Sequence, residues 1–225
     1  MPSVVVFDLE GDSKLRFANY EDRDEAFRYS QITVACALVL DAKLCVSNSD
    51  DAIKAAKAVH FWRDESPLPG QDPFSELLRL FDEAAIIVAY NGLDYDFKML
   101  KKHYSKKTDP LLSRYTSHRL KCLDMFSNLK AALGSWPKLD DLLKLNGLET
   151  KTASGLEAIS MWEDGRRDEL LSYCEADVAL LAKLSLKDAM MVPKVGRVPA
   201  AVYQIQSNLA SRAAKTPEGD WELVD

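Results

Sequence analysis

Long apolar runs, paired cysteine spacings and a surplus of positive charge are all missing from this sequence, and each absence removes a class of function. No stretch approaches the roughly 18 to 20 consecutive apolar residues that cross a bilayer, so no membrane role is expected. Met1-Pro2-Ser3 has no basic segment followed by an apolar run and a cleavage site. An intracellular protein, cytoplasmic or nuclear, is expected. The 4 cysteines (Cys36, Cys45, Cys122 and Cys174) show no C-x-x-C and no paired spacing, which argues against a disulfide framework. The 3 histidines (His60, His103 and His118) lack metal-binding spacing, so a zinc site of His and Cys is not expected. A net charge of −6 argues against broad coating of duplex nucleic acid, which calls for basic faces.

What is present is the composition of a folded domain. Hydrophobic residues make up 47% of the chain and charged ones 28%, ordinary values for a soluble globular protein, and 225 residues can bury a real core. Val4-Val5-Val6-Phe7 reads as a buried central strand, with further strands over 32–40, 43–46 and 58–62 in an antiparallel meander. After Pro67, Pro69 and Gly70, Asp72-Pro73 is placed to open a helix carrying Phe74, Leu77, Leu78 and Phe81. A buried strand over 85–90, a basic helix over 95–104, a strand over 120–125 and a helix over 126–133 follow. Helical stretches are then read around Leu139–Leu145 and around Leu156, Ile159 and Trp162. A long helix is predicted over 167–190, one more over 200–214, and a loose acidic tail over 216–225. Strands, then an alternation, then helices predict an α/β fold with a mixed sheet flanked by helices.

The charge is uneven. From Lys98 to Lys121 there are eight basic residues, Lys98, Lys101, Lys102, Lys106, Lys107, Arg114, Arg119 and Lys121, against one acid, Asp109, which leaves −13 on the rest. Such a run is commonly a solvated face; the alternative is a patch that steers phosphates.

Three pairs of residues carry chemistry. Asp8 and Glu10 close the first strand, and residues two apart in a strand share one side of the sheet. Two carboxylates in one pocket repel each other unless a cation sits between them. D-x-E alone is a common accident in an acidic chain; its place directly after four apolar residues gives it weight. In Asn91-Gly92-Leu93-Asp94-Tyr95-Asp96, after the second central strand, Asp94 fits a helix cap and Asp96 fits a metal ligand. Tyr173 and Asp177 stand at i and i+4 on the long helix, so phenol and carboxylate share a face. A surface aspartate beside a half-buried tyrosine would have the same spacing.

Taken jointly, D-x-E, then Y-N-G-x-x-Y-D, then Y-x-x-x-D on a late helix resembles the three exonuclease motifs of the DEDD superfamily, and the tyrosine of the last motif resembles its DEDDy branch. The middle motif, with Tyr90, Asn91, Gly92, Tyr95, Asp96 and Leu100, looks most like the proofreading domain of family B DNA polymerases. So does the run Leu123-Asp124, Lys138-Leu139, Lys151, Gly155 and Tyr173-Cys174. The resemblance implies a ribonuclease H-like fold over 1–191, followed by a C-terminal extension over 192–225. Two departures stand out. Gly11 replaces the family's threonine, and the chain ends soon after the third motif, so no polymerase is expected to follow in cis.

The resemblance further implies two Mg²⁺ or Mn²⁺ ions held by Asp8, Glu10, Asp96 and Asp177. Asp8 would bridge them, and Tyr173 would orient the attacking water. Ser172 stands where the sister branch has a histidine, so that variant of the mechanism is not available. The implied activity is 3′→5′ hydrolysis of single-stranded nucleic acid, DNA favoured over RNA, releasing nucleoside 5′-monophosphates. Asn91, Lys101 and Lys102 would contact the strand, and association with replication, repair or RNA-processing proteins would follow. A catalytically silent nucleic-acid or protein binding module and a structure-selective endonuclease are the alternatives.

Overall fold

A computed structural model describes residues 2–12, 27, 29–104, 113–134 and 136–213. The chain begins with β1 (Ser3–Gly11), whose β-branched residues are buried on both faces, and continues through β2 (Ile32–Asp41). Two short helices, α1 (Ala42–Ser47) and α2 (Ser49–Lys54), lead to β3 (Lys57–Trp62). Then come α3 (Ser75–Glu83), β4 (Ala84–Ala89), α4 (Asp96–Leu100), α5 (Ser113–Lys121) and β5 (Cys122–Asp124). The remainder comprises α6 (Met125–Leu133), α7 (Leu139–Leu145), α8 (Gly155–Glu163), α9 (Arg167–Ser185), β6 (Met190–Val192), β7 (Gly196–Val198) and α10 (Ile205–Ala213).

The five-stranded sheet has the order β3-β2-β1-β4-β5, with β1, β2 and β3 antiparallel and β1, β4 and β5 parallel. This is the expected mixed sheet flanked by helices. Alternation along β1 divides the core. Val5, Phe7 and Leu9 pack with Phe74, Phe81 and Phe97 on one face. Val4 and Val6 face the other side, with Leu142, Leu170, Val178 and Leu181. Asp8 and Glu10 continue that second row and so point toward α9. Because β1, β4 and β5 run the same way, their carboxyl ends share one edge, where ligands of open α/β sheets bind.

Several local expectations are corrected. Residues 43–46 lie in α1 rather than a strand, because Asp41 caps the turn, its Oδ1 accepting from the Lys43 and Leu44 amides at 2.7 and 3.3 Å. Asp72 accepts from the Phe74 amide at 2.9 Å and so closes a turn, and the helix itself starts at Ser75. The basic helix is α4 followed by a 3₁₀ turn at Lys101–His103. The long helix stops at Ser185, since Met190–Val192 pairs with Gly196–Val198 as a small hairpin. In α8 the buried face is Ala158, Ile159 and Met161, whereas Leu156 is exposed. Helix α5 was not anticipated within the charged run. Val192, Val198, Tyr203, Ile205 and Leu209 join the α9-side core. The tail over 216–225, and Lys106, Lys107 and Asp109, lie outside the described residues.

On the opposite face, buried His118 ties α5 to α3. Its Nε2 pairs with Asp82 at 2.8 Å and its Nδ1 with the Tyr104 hydroxyl at 2.9 Å, while Arg114 Nε donates to the same Asp82 at 2.8 Å. Burial depresses the His118 pKa, more than Asp82 raises it. The imidazole is therefore neutral, donating from Nε2 and accepting at Nδ1. For a base whose folded pKa lies below its unfolded value, stability is complete above the unfolded pKa and falls as pH drops toward the folded one. His118→Phe should cost about 2 kcal/mol at pH 7.5, and that deficit should shrink below about pH 6.5, as read from denaturant unfolding. A deficit independent of pH would contradict the neutral assignment.

Candidate active site

Asp8 and Glu10 emerge where β1 leaves the sheet. One carboxylate oxygen of each and the Cys174 sulfur lie within 4.8 Å of one another. The third carboxylate arrives on the loop after β4. Asn91 takes a left-handed φ of 64°, which asparagine tolerates, and a Cβ on Gly92 would sit 2.4 Å from the Ala89 Cβ, so only glycine fits there. The loop is pinned by buried Asp124, which accepts from the Asn91 amide at 2.9 Å and the Leu93 amide at 2.8 Å. Arg119 donates to the Leu93 carbonyl at 2.7 Å. This anchoring sets Asp96 at the first position of α4 with its carboxylate buried, Oδ1 accepting from the Leu9 amide at 3.1 Å, between Asp8 and Glu10 in sequence. Asp94 is exposed and caps nothing: α4 begins after Tyr95 without a side-chain cap.

Helix α9 supplies the rest. Tyr173 and Asp177 are both buried on its sheet-facing side. Between Asp177 and the other acids stands Lys151, whose Nζ donates to Asp177 Oδ2 at 2.5 Å and lies 3.5 Å from the Tyr173 hydroxyl. Asp177 Oδ1 is buried with no hydrogen-bond partner among the described residues. Cys174 directs its thiol at the Asp8 carbonyl, 3.8 Å away.

Crowding shows in the electrostatics. Burial, reinforced by Asp177 and opposed by Lys151, pushes Asp8 up to about 6. Burial and the neighbouring Asp8 hold Glu10 and Asp96 well above the carboxylate range. Asp177 is raised by burial despite Lys151. Burial also opposes the charge on Lys151, but Asp8 and Asp177 outweigh it and keep that amine firmly protonated. The Tyr173 phenol, raised by burial and then by Glu10, stays protonated.

The site opens into a cleft of about 570 Å³. Asp8, Asp177 and Lys151 line one part of it; Asn91, Phe126 and Trp136 line another. The structure thus brings Asp8, Glu10, Asp96, Tyr173 and Asp177 together and places Asn91 in the cleft that Asp8 and Asp177 line. Lys101 and Lys102 are exposed on the 3₁₀ turn and do not line the cleft, and Lys102 donates to the Ser30 carbonyl. Sequence reasoning gave no site role to Lys151, Asp124 or Trp136. Asp124 had a usable signal, an acid at a strand end directly before a helix.

A family model for the RNase H superfamily matches residues 50–188. The chain belongs to the RNase H superfamily. No curated protein matches it in sequence. Among solved structures, the family B DNA polymerase from the hyperthermophilic archaeon Pyrobaculum calidifontis aligns with 81% of this chain at a TM-score of 0.50 and 15% identity. This chain spans 24% of that polymerase, and at such identity the likeness is one of fold.

RNase H-like nucleases use divalent metals, and the residues present fit such ions. Buried carboxylates repel one another, the Asp177 Oδ1 lacks a partner, and the donors are mainly hard oxygens suited to Mg²⁺ or Mn²⁺. Among the described residues the soft neighbour is Cys174, and it keeps its proton, since burial and then Cys36 raise its pKa.

An acid whose folded pKa is raised makes the protein more stable as pH falls through that value. In metal-free protein the Asp8 contribution should therefore grow more favourable as the pH is lowered through about 6, opposite in sign to that of His118. Asp8→Asn should raise the Tm in EDTA. It should also abolish a metal-induced stabilisation that reaches about 3 kcal/mol in the wild type at 100-fold excess over Kd. An Asp8→Asn variant less stable than wild type in EDTA, or still stabilised by Mn²⁺, would contradict the electrostatic reading.

Proposed function

We propose that this protein is a metal-dependent 3′→5′ exonuclease acting on single-stranded nucleic acid, DNA favoured over RNA, and releasing nucleoside 5′-monophosphates. One observation carries the reading. Four carboxylates from three distant segments, with Tyr173 beside them, gather in one cluster, and Asp8 and Asp177 of that cluster line an open cleft.

Asp8, Glu10 and Asp177 would hold one Mg²⁺ or Mn²⁺, and Asp8 with Asp96 a second. Bound there, such ions supply an activated water and relieve charge on the leaving oxygen. The protein's own groups do the rest. The Tyr173 hydroxyl, 3.5 Å from Lys151 and one helical turn from Asp177, is held where it can orient a water by donating to or accepting from it. Its protonated state suits orientation and excludes a base role. The Lys151 ammonium, paired with Asp177 and held protonated by Asp8 and Asp177, offsets part of the negative charge of the cluster and would be available to face phosphate oxygens. Asn91 contacts the strand in the cleft, and Lys101 and Lys102 guide phosphates from outside it. Association with replication, repair or RNA-processing proteins belongs to the same reading.

Digestion of matched 5′-labelled DNA and RNA oligonucleotides with Mg²⁺ and with Mn²⁺ tests this. The expected outcome is a ladder shortening from the 3′ end, blocked by EDTA and absent for Asp8→Ala. Tyr173→Phe should lower kcat about 100-fold with little change in KM. Absence of metal-dependent release would leave a silent binding module, and cutting of a circular single strand would make the protein an endonuclease.

A further inference from the structure

Beyond the acids, the cleft holds a feature that the hydrolytic machinery does not use. Trp136, Pro137 and Lys138 all line it. Pro137 is buried, whereas Trp136 is 67% exposed and Lys138 is exposed as well. Lys138 has extended backbone (φ −74°, ψ 149°), so the two exposed side chains flank a buried residue, about 7 Å apart along the chain. The segment is fastened to the site. The Tyr90 hydroxyl donates to the Pro137 carbonyl, and Tyr90 directly precedes Asn91. Tyr90 and Phe126 meet edge to face at 5.7 Å and form an aromatic wall of the same cleft. Lys130 Nζ lies over one face of the Trp136 ring, 4.7 Å from its centroid, which steadies the indole and brings positive charge to the same rim, so a stacking ligand would take the opposite face.

A large indole this exposed, held by an anchored backbone at the mouth of an acid-lined cleft, matches a π-face awaiting a planar ligand. The lysine two residues on matches an anion beside it. We infer that Trp136 stacks on a nucleobase of the bound strand and Lys138 takes a phosphate next to that base. Together they form a subsite selecting unpaired nucleotides. This rests on the reading of the cleft as a nuclease site and adds where the strand is gripped. The selectivity follows from the stacking: a base in a duplex already has neighbours on both faces, so only an unpaired base can offer one to the indole.

The test is equilibrium binding of the full chain in EDTA, by fluorescence anisotropy. The probes are 5′-labelled oligo(dT), oligo(U), an abasic deoxy-oligomer and a blunt duplex, measured over a range of salt. Trp136→Ala should weaken oligo(dT) and oligo(U) binding roughly ten-fold, leave the abasic oligomer unaffected and keep the salt slope unchanged. Trp136→Phe should restore most of the affinity. Lys138→Ala should weaken all single strands, abasic included, and reduce the slope of log K against log salt by about 0.7, with Lys138→Arg restoring it. Equal binding of oligo(dT) by wild type and Trp136→Ala would overturn the inference. So would an equal loss on abasic strands, a duplex bound as tightly as a single strand, or no binding by wild type. The nuclease reading fails separately: base-dependent binding at Trp136 without Mg²⁺-dependent hydrolysis would sink the catalytic assignment and leave the stacking subsite standing.

Discussion

Everything in this fold that bears on function follows from the mutual repulsion of four carboxylates held close together in a poorly solvated place. Asp8, Glu10, Asp96 and Asp177 face a single nearby ammonium among the described residues, that of Lys151. Carrying Asp8 from 3.8 up to about 6 corresponds to roughly 3 kcal/mol, a large share of the 5–15 kcal/mol that stabilises a typical domain. A protein retains such an arrangement only where the surrounding structure over-determines it. Here the rigid parts are the parallel strand ends, the Asp124-pinned loop and α9, each held by apolar packing on the two faces of the sheet. Divalent cations would turn the same repulsion into ligation.

Much of the frame was legible in the sequence because it depends on short-range periodicity. Val4–Phe7 followed by Asp8-x-Glu10 identifies a buried strand with two acids on one face, and β1 places them so. Tyr173 and Asp177 share a helix face for the same reason. The meander of β1, β2 and β3 was readable from short apolar runs separated by acidic and polar turns, except where Asp41 converts the apolar run at 43–46 into a helical turn. What was not legible depends on long-range encounters. Lys151 reaches Asp177 from a loop 26 residues away, and no local pattern announces that contact. Asp124 acts through amides of a loop more than thirty residues upstream. The basic run from Lys98 reads as a solvated face or a phosphate-steering patch. Within it, Arg114 and Lys121 serve Asp82, and Arg119 holds the loop that carries Asp96.

The two faces of the sheet divide the work. The face carrying Phe7, Phe81 and Phe97, with the Tyr104–His118–Asp82 chain beside it, supports the start of α4 and therefore the position of Asp96. The α9 face presents Asp8, Glu10, Tyr173 and Asp177 and opens toward Trp136 and Lys138. Rigidity lies on one side, and on the proposed reading a nucleic-acid strand would approach from the other.

Anomalous diffraction from crystals grown with Mn²⁺ and a nucleoside 5′-monophosphate addresses the central claim most directly. The account predicts two peaks about 3.5 to 4 Å apart, ligated by Asp8, Glu10, Asp96 and Asp177, with the Lys151 ammonium moved off Asp177. Crystals showing no manganese among these carboxylates, with the Lys151–Asp177 pair intact, would contradict it.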